Sequence, residues 1–229
     1  MMKKVTKWGI GLLAAAALAA GMWWWLKPKS EINYLTEPVV RTSIEQSVSA
    51  TGEISAAQLA DSQVNYVIIG HSERRQYFGE DDTCLIAKIR CALSQNLTVI
   101  LCIGETQQQY EAGQTHSVIS EQLTVLQTLV ETGELNQSRF IIAYEPVWAI
   151  GTGKVPTPAE VENVHTFIQS QLTNIHHTLH HTPILYGGSV KADNAKDIAQ
   201  CPTVSGVLVG GAALDASSFT QIIQAFAKK

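Results

Sequence analysis

Five short apolar segments divide the second part of the chain into regular units. They are continuous apolar runs rather than alternating ones, which is typical of parallel strands covered on both faces. The pattern predicts strands at residues 64–70, 98–104, 140–144, 183–187 and 206–209. Helical periodicity predicts helices at residues 81–95, 117–131, 158–179, 194–199 and 217–227. This alternation indicates an α/β fold, either a doubly wound sheet or a βα barrel.

Polar residues and glycines follow every predicted strand, at the strand end where barrels carry their chemistry. In chain order they are His71, Ser72 and Glu73; Gly104 and Glu105; Glu145; Gly187, Gly188 and Ser189; and Gly210 and Gly211. The last two groups place glycine pairs at strand-to-helix junctions, where backbone N–H groups can hold a phosphate without a cation. The alternative for these glycines is tight packing of a strand against a helix.

The loop after the third strand combines a carboxylate with hinge residues. Glu145 ends the apolar run, Pro146 prevents the strand from continuing, and a Gly-Thr-Gly turn occupies residues 151–153 before Lys154. This arrangement suits a base beneath a hinged lid, with Trp148 excluding water once the lid closes. An ordinary surface loop is the alternative interpretation.

The N-terminal end has a different composition. Lysines at positions 3, 4 and 7 precede an uncharged, largely apolar run at residues 8–26, and Lys27 and Lys29 follow it. At about 1.5 Å per helical residue, the run reaches close to the ~30 Å hydrocarbon thickness of a bilayer. Residues 1–29 are therefore predicted to be an uncleaved anchor helix; a cleaved signal peptide and a buried core helix are the alternatives.

Composition limits the function classes. With 229 residues, of which 45% are hydrophobic and 16% charged, the chain can bury a full core. A net charge of -4 gives no support for nucleic-acid binding. The four cysteines show no metal-ligand spacing, so buried reduced thiols are expected, with Cys102 a packing residue. Four clustered histidines could bind a metal but are more typical of a solvated helix end: His176, His177, His180 and His181.

Several segments resemble the triosephosphate isomerase family closely. They are residues 67–75, 143–154, 186–190 and 208–212, and the similarity runs from about residue 51 to 229. The resemblance implies an α/β fold of the TIM (β/α)8-barrel type. It implies interconversion of dihydroxyacetone phosphate and glyceraldehyde 3-phosphate by proton transfer, with no metal or organic cofactor. It also implies a small-molecule triose phosphate substrate, a homodimer and a cytoplasmic location.

The same resemblance assigns roles to individual residues. Glu145 is the base, His71 polarises the carbonyl group, and Glu73 is a supporting residue near the site. The phosphate is held by Gly151, Ser189, Gly210 and Gly211. Residues 146–154 form the closing loop.

The chain departs from the family at its N-terminal side. The family barrel has eight βα units, whereas the pattern here gives about five, beginning with the equivalent of the fourth. The family's first strand ends in Asn-x-Lys, which supplies a substrate-contacting lysine, and no predicted strand here ends in that motif. Little or no activity is therefore expected from this chain.

The segment between the anchor and the barrel carries a second resemblance. Residues 37–40 and 47–53 are similar to the start of periplasmic adaptor proteins of macrolide-type efflux pumps. We expect an anchor at residues 1–29, an adaptor-like strand or linker at 30–53, and a partial barrel at 54–229. The alternative function is a non-catalytic, membrane-anchored fusion of an adaptor and an isomerase. The anchor favours the inner membrane, whereas the substrate and the unpaired cysteines favour the cytoplasm.

Overall fold

Five parallel strands form the sheet at the centre of the fold. The computed structural model describes residues 55–135 and 139–227, which lie within the unit Gly52–Lys229. The strands are β1 (Tyr66–Ile69), β2 (Thr98–Ile103), β3 (Phe140–Tyr144), β4 (Ile184–Tyr186) and β5 (Gly206–Val207). Each strand pairs with the next along the chain, in the order β1-β2-β3-β4-β5. This sequential order is that of a βα barrel, because a doubly wound sheet reverses its strand order partway.

The helices that follow the strands cover one face of the sheet. Those of the described residues are α1 (Ala56–Asp61), α2 (Ser72–Phe78), α3 (Asp82–Ser94), α4 (Gln107–Glu111), α5 (Thr115–Gln122), α6 (Thr124–Glu131), α7 (Pro158–Ile175), α8 (Ala195–Gln200) and α9 (Ala216–Phe226). Three short 3₁₀ helices, Val147–Ala149, His177–His181 and Gly211–Leu214, lie in the connections.

The two faces of the sheet differ in burial. Ile69, Leu101 and Ile142 point to the helix side and are 4%, 0% and 0% exposed. They pack in one hydrophobic core with residues of α3, α5, α6 and α7. Tyr66 and Ile68 point the other way and are 58% and 44% exposed. Within the part of the chain that the structure describes, the helices therefore bury only one side of β1.

The predicted helix over residues 117–131 is two helices in the structure. Leu123 ends α5 and also precedes α6, and the hydroxyl of Thr124 donates to the carbonyl of Glu121 at 2.6 Å. A side-chain bond of this kind competes with the backbone ladder and bends a helix. The apolar periodicity continues across the bend, so the sequence pattern alone predicts a single helix.

The predicted helix over residues 158–179 begins as expected and ends early. Thr157 and Glu160 form a reciprocal capping box, and Pro158 occupies the first turn. The helix stops at Ile175 because His176 is extended, at φ -159°, and its side chain accepts from the N–H of Thr178. A 3₁₀ turn completes the segment.

The short helices α1 and α4 are, like α2, absent from the predicted pattern. Both α1 and α4 begin with a capping box, Ser55 with Gln58 and Thr106 with Gln109. Helices of 6 and 5 residues are too short to show a hydrophobic period, so the caps are their only sequence signal.

The expected anchor, residues 1–29, and the adaptor-like segment, residues 30–53, lie outside the described residues. Of the helices in residues 55–135 and 139–227, none combines the length and the apolar character that crossing a bilayer requires.

Candidate active site

Glu145 is a buried carboxylate at the carboxyl end of β3. Its side chain is only 2% exposed, and both oxygens have partners. His71 Nε2 lies 3.3 Å from Oε1, and the backbone N–H of Ser72 donates to Oε2 at 3.0 Å. Both partners come from the end of β1, two strands away, so the parallel sheet brings residues 71 and 145 together. The structure thus brings together His71 and Glu145, two of the residues that the sequence analysis expects at the site.

The ring of His71 is oriented by the start of α2. His71 is the N-cap of that helix, and its Nδ1 accepts a hydrogen bond from the backbone N–H of Glu73 at 3.4 Å. An Nδ1 that accepts leaves the proton of a neutral imidazole on Nε2, the atom that faces Glu145. Glu73 therefore contributes through its backbone, while the residue itself is exposed. The helix α2 begins directly after His71, with Ser72 as its first residue.

Two glycines make room for Glu145. A Cβ atom at Gly104 would lie 1.8 Å from the carbonyl oxygen of Glu145, and one at Gly187 would lie 3.0 Å from its Cγ. The backbone is fixed on both sides, because Glu145 N donates to Ile103 O and Gly187 N donates to Tyr144 O, each at 2.7 Å. Side chains at residues 104 and 187 would displace the carboxylate.

Cys102 lies beside the same carboxylate and is fully buried. Burial, and then the charge of Glu145, raises the pKa of the Cys102 thiol, which stays protonated and hydrogen-bonds to Glu145. The sequence suggested only a packing role for this residue. Strand alternation could have indicated that Cys102 lies near the site. Cys102 pairs with Ala143, and residue 145 projects from the same face of the sheet as Ala143.

Arg75 joins the ends of the first two strands. Its Nε donates to Gly70 O at 2.9 Å, and its Nη2 donates to Cys102 O at 3.2 Å. Burial lowers the pKa of this guanidinium, an effect opposed by Asp82. Arg75 thus fixes the backbone that carries His71 and Cys102, a function that the sequence did not reveal.

The loop after Glu145 packs its tryptophan on a second buried acid. Trp148 is 8% exposed, and its Nε1 donates to Glu105 Oε1 at 2.8 Å. The hydroxyl of Tyr144 donates to the same carboxylate at 3.1 Å. Burial raises the pKa of Glu105, although the hydrogen bonds from Trp148 and Tyr144 oppose it.

Gly151 and Gly153 follow in the same loop with φ +69° and +76°, values that favour glycine and suit hinge positions.

The other residues expected to bind phosphate lie at the same edge of the sheet. Ser189 comes three residues after β4, and Gly210 comes three residues after β5, where Tyr186 and Val207 are paired. The carbonyl of Ser189 accepts from Asn194 Nδ2 at 2.9 Å, which fixes that turn. Gly211 starts a 3₁₀ helix of four residues rather than an α-helix.

No metal-binding grouping of three or more His, Cys, Asp or Glu residues occurs within residues 55–135 and 139–227. His177, His180 and His181 are exposed at the 3₁₀ turn that follows α7, with His176 at its start.

Residues 194–196, Asn-Ala-Lys, match the Asn-x-Lys pattern of the family's substrate-contacting lysine. They lie at the start of α8, however, and not at a strand end.

The chemistry of this arrangement is acid–base chemistry. A carboxylate and an imidazole N–H donor, 3.3 Å apart, can remove a proton from one atom while stabilising charge on a neighbouring oxygen.

Comparison with known proteins identifies the family. The family model described as triosephosphate isomerase matches residues 32–226. The triosephosphate isomerase of Psychrobacter sp. (strain PRwf-1) is 48% identical over 186 residues, which is 79% of this chain and 70% of that protein. That of Psychrobacter arcticus is 50% identical over 182 residues, 78% and 68% of the two chains. That of Acinetobacter baumannii (strain ATCC 17978) is 48% identical over 178 residues, 78% and 67%.

The family match begins within the segment that resembles an efflux adaptor, residues 30–53, and the comparisons give the adaptor resemblance no support. Sequence motifs, sequential parallel strands and the matched length agree on one assignment. The chain belongs to the triosephosphate isomerase family.

Proposed function

We propose that this chain interconverts dihydroxyacetone phosphate and glyceraldehyde 3-phosphate, with Glu145 as the base and His71 as the proton donor to oxygen. One observation carries the proposal. A carboxylate that is 2% exposed faces an imidazole Nε2 at 3.3 Å, in a member of the isomerase family. Proton transfer next to a carbonyl group requires these two groups, one to take the carbon-bound proton and one to stabilise the charge that develops on oxygen.

The reaction proceeds in two proton transfers at carbon. Glu145 removes a proton from the hydroxyl-bearing carbon beside the carbonyl, while the Nε2–H of His71 donates a hydrogen bond to the carbonyl oxygen, which gives an enediol-type intermediate. Glu145 then returns the proton to the former carbonyl carbon, the hydroxyl proton moves to the former carbonyl oxygen, and the new carbonyl group forms at the carbon that first lost its proton. In this structure the carboxylate is bonded to His71 and Ser72 N, so substrate must replace at least one of these partners.

Backbone N–H groups bind the phosphate in this proposal. The residues are Gly151, Ser189, Gly210 and Gly211. Support comes from the pairing of β4 with β5, because parallel strands present the residues that follow them at a common edge. The pairing of β3 with β4 adds Glu145 to that edge.

Residues 146–154 form a lid over the site. Pro146 at one end and the glycines at positions 151 and 153 at the other end supply the hinges. A lid excludes water from the enediol-type intermediate, which would otherwise lose its phosphate. The buried hydroxyl of Tyr186, which has no hydrogen-bond partner in the described residues, lies beneath Gly188 and close to Pro146. Rearrangement of the lid can supply that partner.

Turnover of this chain is expected to be low. No strand end of the described residues carries a lysine of the Asn-x-Lys type, and the inner side of β1 is exposed at Tyr66 and Ile68. The alternative function, a non-catalytic membrane-anchored fusion, has no support from the comparisons. A homodimer and a cytoplasmic location remain part of the proposal by family membership.

The first prediction concerns Glu145. The Glu145→Gln variant keeps the shape of the side chain but cannot accept the proton, so kcat should fall by about 10²- to 10⁴-fold. The enzyme is produced in a host that lacks its own isomerase, and both directions of the reaction are assayed. Glu121→Gln, an exposed position on α5, is the matched control and should retain wild-type turnover. Equal turnover of the Glu145→Gln and wild-type proteins, at a rate above the background without enzyme, would exclude Glu145 as the base.

A further inference from the structure

Tyr110, on the short helix α4, contacts the tryptophan of the lid. Its ring stacks on that of Trp148, with centroids 4.2 Å apart and an angle of 24° between the planes. Stacked aromatic pairs of this geometry contribute beyond their buried area. Trp148 is thus held along one edge by Glu105, through the 2.8 Å hydrogen bond, and on one face by Tyr110.

The same tyrosine also contacts the far end of the loop. Its hydroxyl donates to Glu160 Oε1 at 3.2 Å. The other oxygen of Glu160 accepts from the N–H and the hydroxyl of Thr157, each at 2.7 Å, in the capping box that begins α7. One side chain from outside the loop therefore touches the start of the lid, at Trp148, and the helix that follows it.

Two cavities lined by Trp148 leave room for the indole to move. A cavity of about 140 Å³ is lined by Glu105, Tyr110, Trp148 and Glu160 among others. A second cavity, of about 390 Å³, is lined by Tyr110, Trp148, Lys154 and Glu160 among others. The stacking and the hydrogen bonds, rather than close packing all around, hold Trp148 in place.

We propose that Tyr110 is a positioning residue for this reaction, one that holds Trp148 in the arrangement seen here and so sets the fraction of molecules whose lid is open. The inference rests on the proposed function, since it requires residues 146–154 to act as a lid. In this proposal Trp148 moves away from Tyr110 when the lid closes, so the stacking energy opposes closure. Loss of the contact should favour the closed lid by about three- to tenfold.

The expected result is tighter binding of a ligand that requires the closed lid. Apparent affinity rises in proportion to the fraction of the competent state. The probe is 2-phosphoglycolate, a phosphorylated carboxylate that resembles the enediolate. Tyr110→Ala should lower its Kd and the KM by about three- to tenfold, with kcat unchanged or lower. Tyr110→Phe, which keeps the aromatic ring, should lower the Kd and the KM by less than Tyr110→Ala does. A merely structural role predicts the reverse, weaker binding.

Phe219→Ala on α9 is the matched control, because Phe219 and Tyr110 are both 38% exposed aromatic residues. It should leave the Kd and KM unchanged. A second measurement follows Trp148 directly by ¹⁹F NMR of the protein labelled with 5-fluorotryptophan, with the resonance assigned from Trp148→Phe. In Tyr110→Ala without ligand, that resonance should move towards its position in the liganded wild type.

The outcomes separate the two proposals. Unchanged or weaker 2-phosphoglycolate binding by Tyr110→Ala, with normal binding by the wild type, would overturn the role of Tyr110 and leave the proposed function intact. If the wild type neither binds 2-phosphoglycolate nor turns over substrate, the proposed function fails and the role of Tyr110 fails with it.

Discussion

Two buried carboxylates follow neighbouring strands, but their surroundings differ. Glu145 accepts from His71 and from the backbone N–H of Ser72, at the start of a helix, where the dipole favours an anion. Glu105 accepts from the neutral donors of Tyr144 and Trp148 and is 0% exposed. Burial raises the pKa of Glu105 because these donors do not fully replace water. The second acid is therefore suited to holding the loop rather than to exchanging protons with a substrate.

The pKa of Glu105 leads to a prediction about pH. A carboxyl group whose pKa is raised on folding contributes stability below the pKa of the unfolded chain, and that stability is lost as the pH rises through the folded pKa. Glu105→Gln avoids burial of the charge, so it should raise the thermal midpoint at pH 7. Below about pH 4 the difference from wild type should disappear. Thermal unfolding followed by circular dichroism across this range checks both statements.

Glu111→Gln provides the comparison for that experiment. Glu111 is an exposed acid on α4, and its substitution should leave the midpoint unchanged at both pH values. A midpoint for Glu105→Gln below that of wild type at pH 7 would show that the carboxylate's hydrogen bonds outweigh the cost of burying its charge.

At the scale of elements, the sequence predicted those strand and helix bounds that interactions between neighbouring residues determine. Strand β3 matches its predicted bounds because Glu145 and Pro146 end the apolar run. Strand β1 starts later than predicted, at Tyr66, because Val64 N donates to Leu59 O in the turn after α1. The sequence around residue 64 does not predict that turn, because the helix before it has six residues and is too short to show a hydrophobic period.

The site was predicted only in part, for a related reason. The motifs placed Glu145 and His71 at strand ends, and the parallel sheet brought them together. Cys102, Arg75 and Gln122 support the site through contacts between residues far apart in sequence. Without a motif or a neighbour in sequence to mark them, they could be found only once strand register and helix packing were known.

Gln122, on α5, provides a prediction at this scale. Its side-chain amide forms two hydrogen bonds with Gly104, accepting from its N–H at 2.7 Å and donating to its carbonyl at 3.1 Å. Gln122→Leu would leave both groups without these partners, at a cost of about 1–3 kcal/mol for each one that stays buried. Because Gly104 packs against the backbone of Glu145, kcat should fall as well.

Urea unfolding and steady-state kinetics measure the two effects of Gln122→Leu. Gln127→Leu is the control, since Gln127 is exposed on α6 and its side-chain amide donates to Glu131 on the surface. Its free energy of unfolding should stay within about 0.5 kcal/mol of wild type. A stable, fully active Gln122→Leu protein would mean that water replaces the amide.

At the scale of the whole molecule, the sequential strand order has a consequence for burial. Helices of all five units lie on one side of the sheet, so the opposite face can be covered only by closure of a barrel or by another surface. Within residues 55–135 and 139–227 that face remains partly exposed at β1. Neighbouring residues of this strand therefore lie in very different environments.

The last prediction compares alanine substitutions at Ile68 and Ile69. Ile69→Ala removes a side chain that is 4% exposed and packed in the core, so it should lower the free energy of unfolding by about 2–5 kcal/mol. Ile68 is 44% exposed on the other face, so Ile68→Ala should cost less than about 1 kcal/mol. Urea unfolding of the full chain measures both, at two protein concentrations. If Ile68→Ala costs as much as Ile69→Ala at both concentrations, another part of the chain covers the inner face. A cost for Ile68→Ala that grows with concentration would instead mean that a second copy covers it.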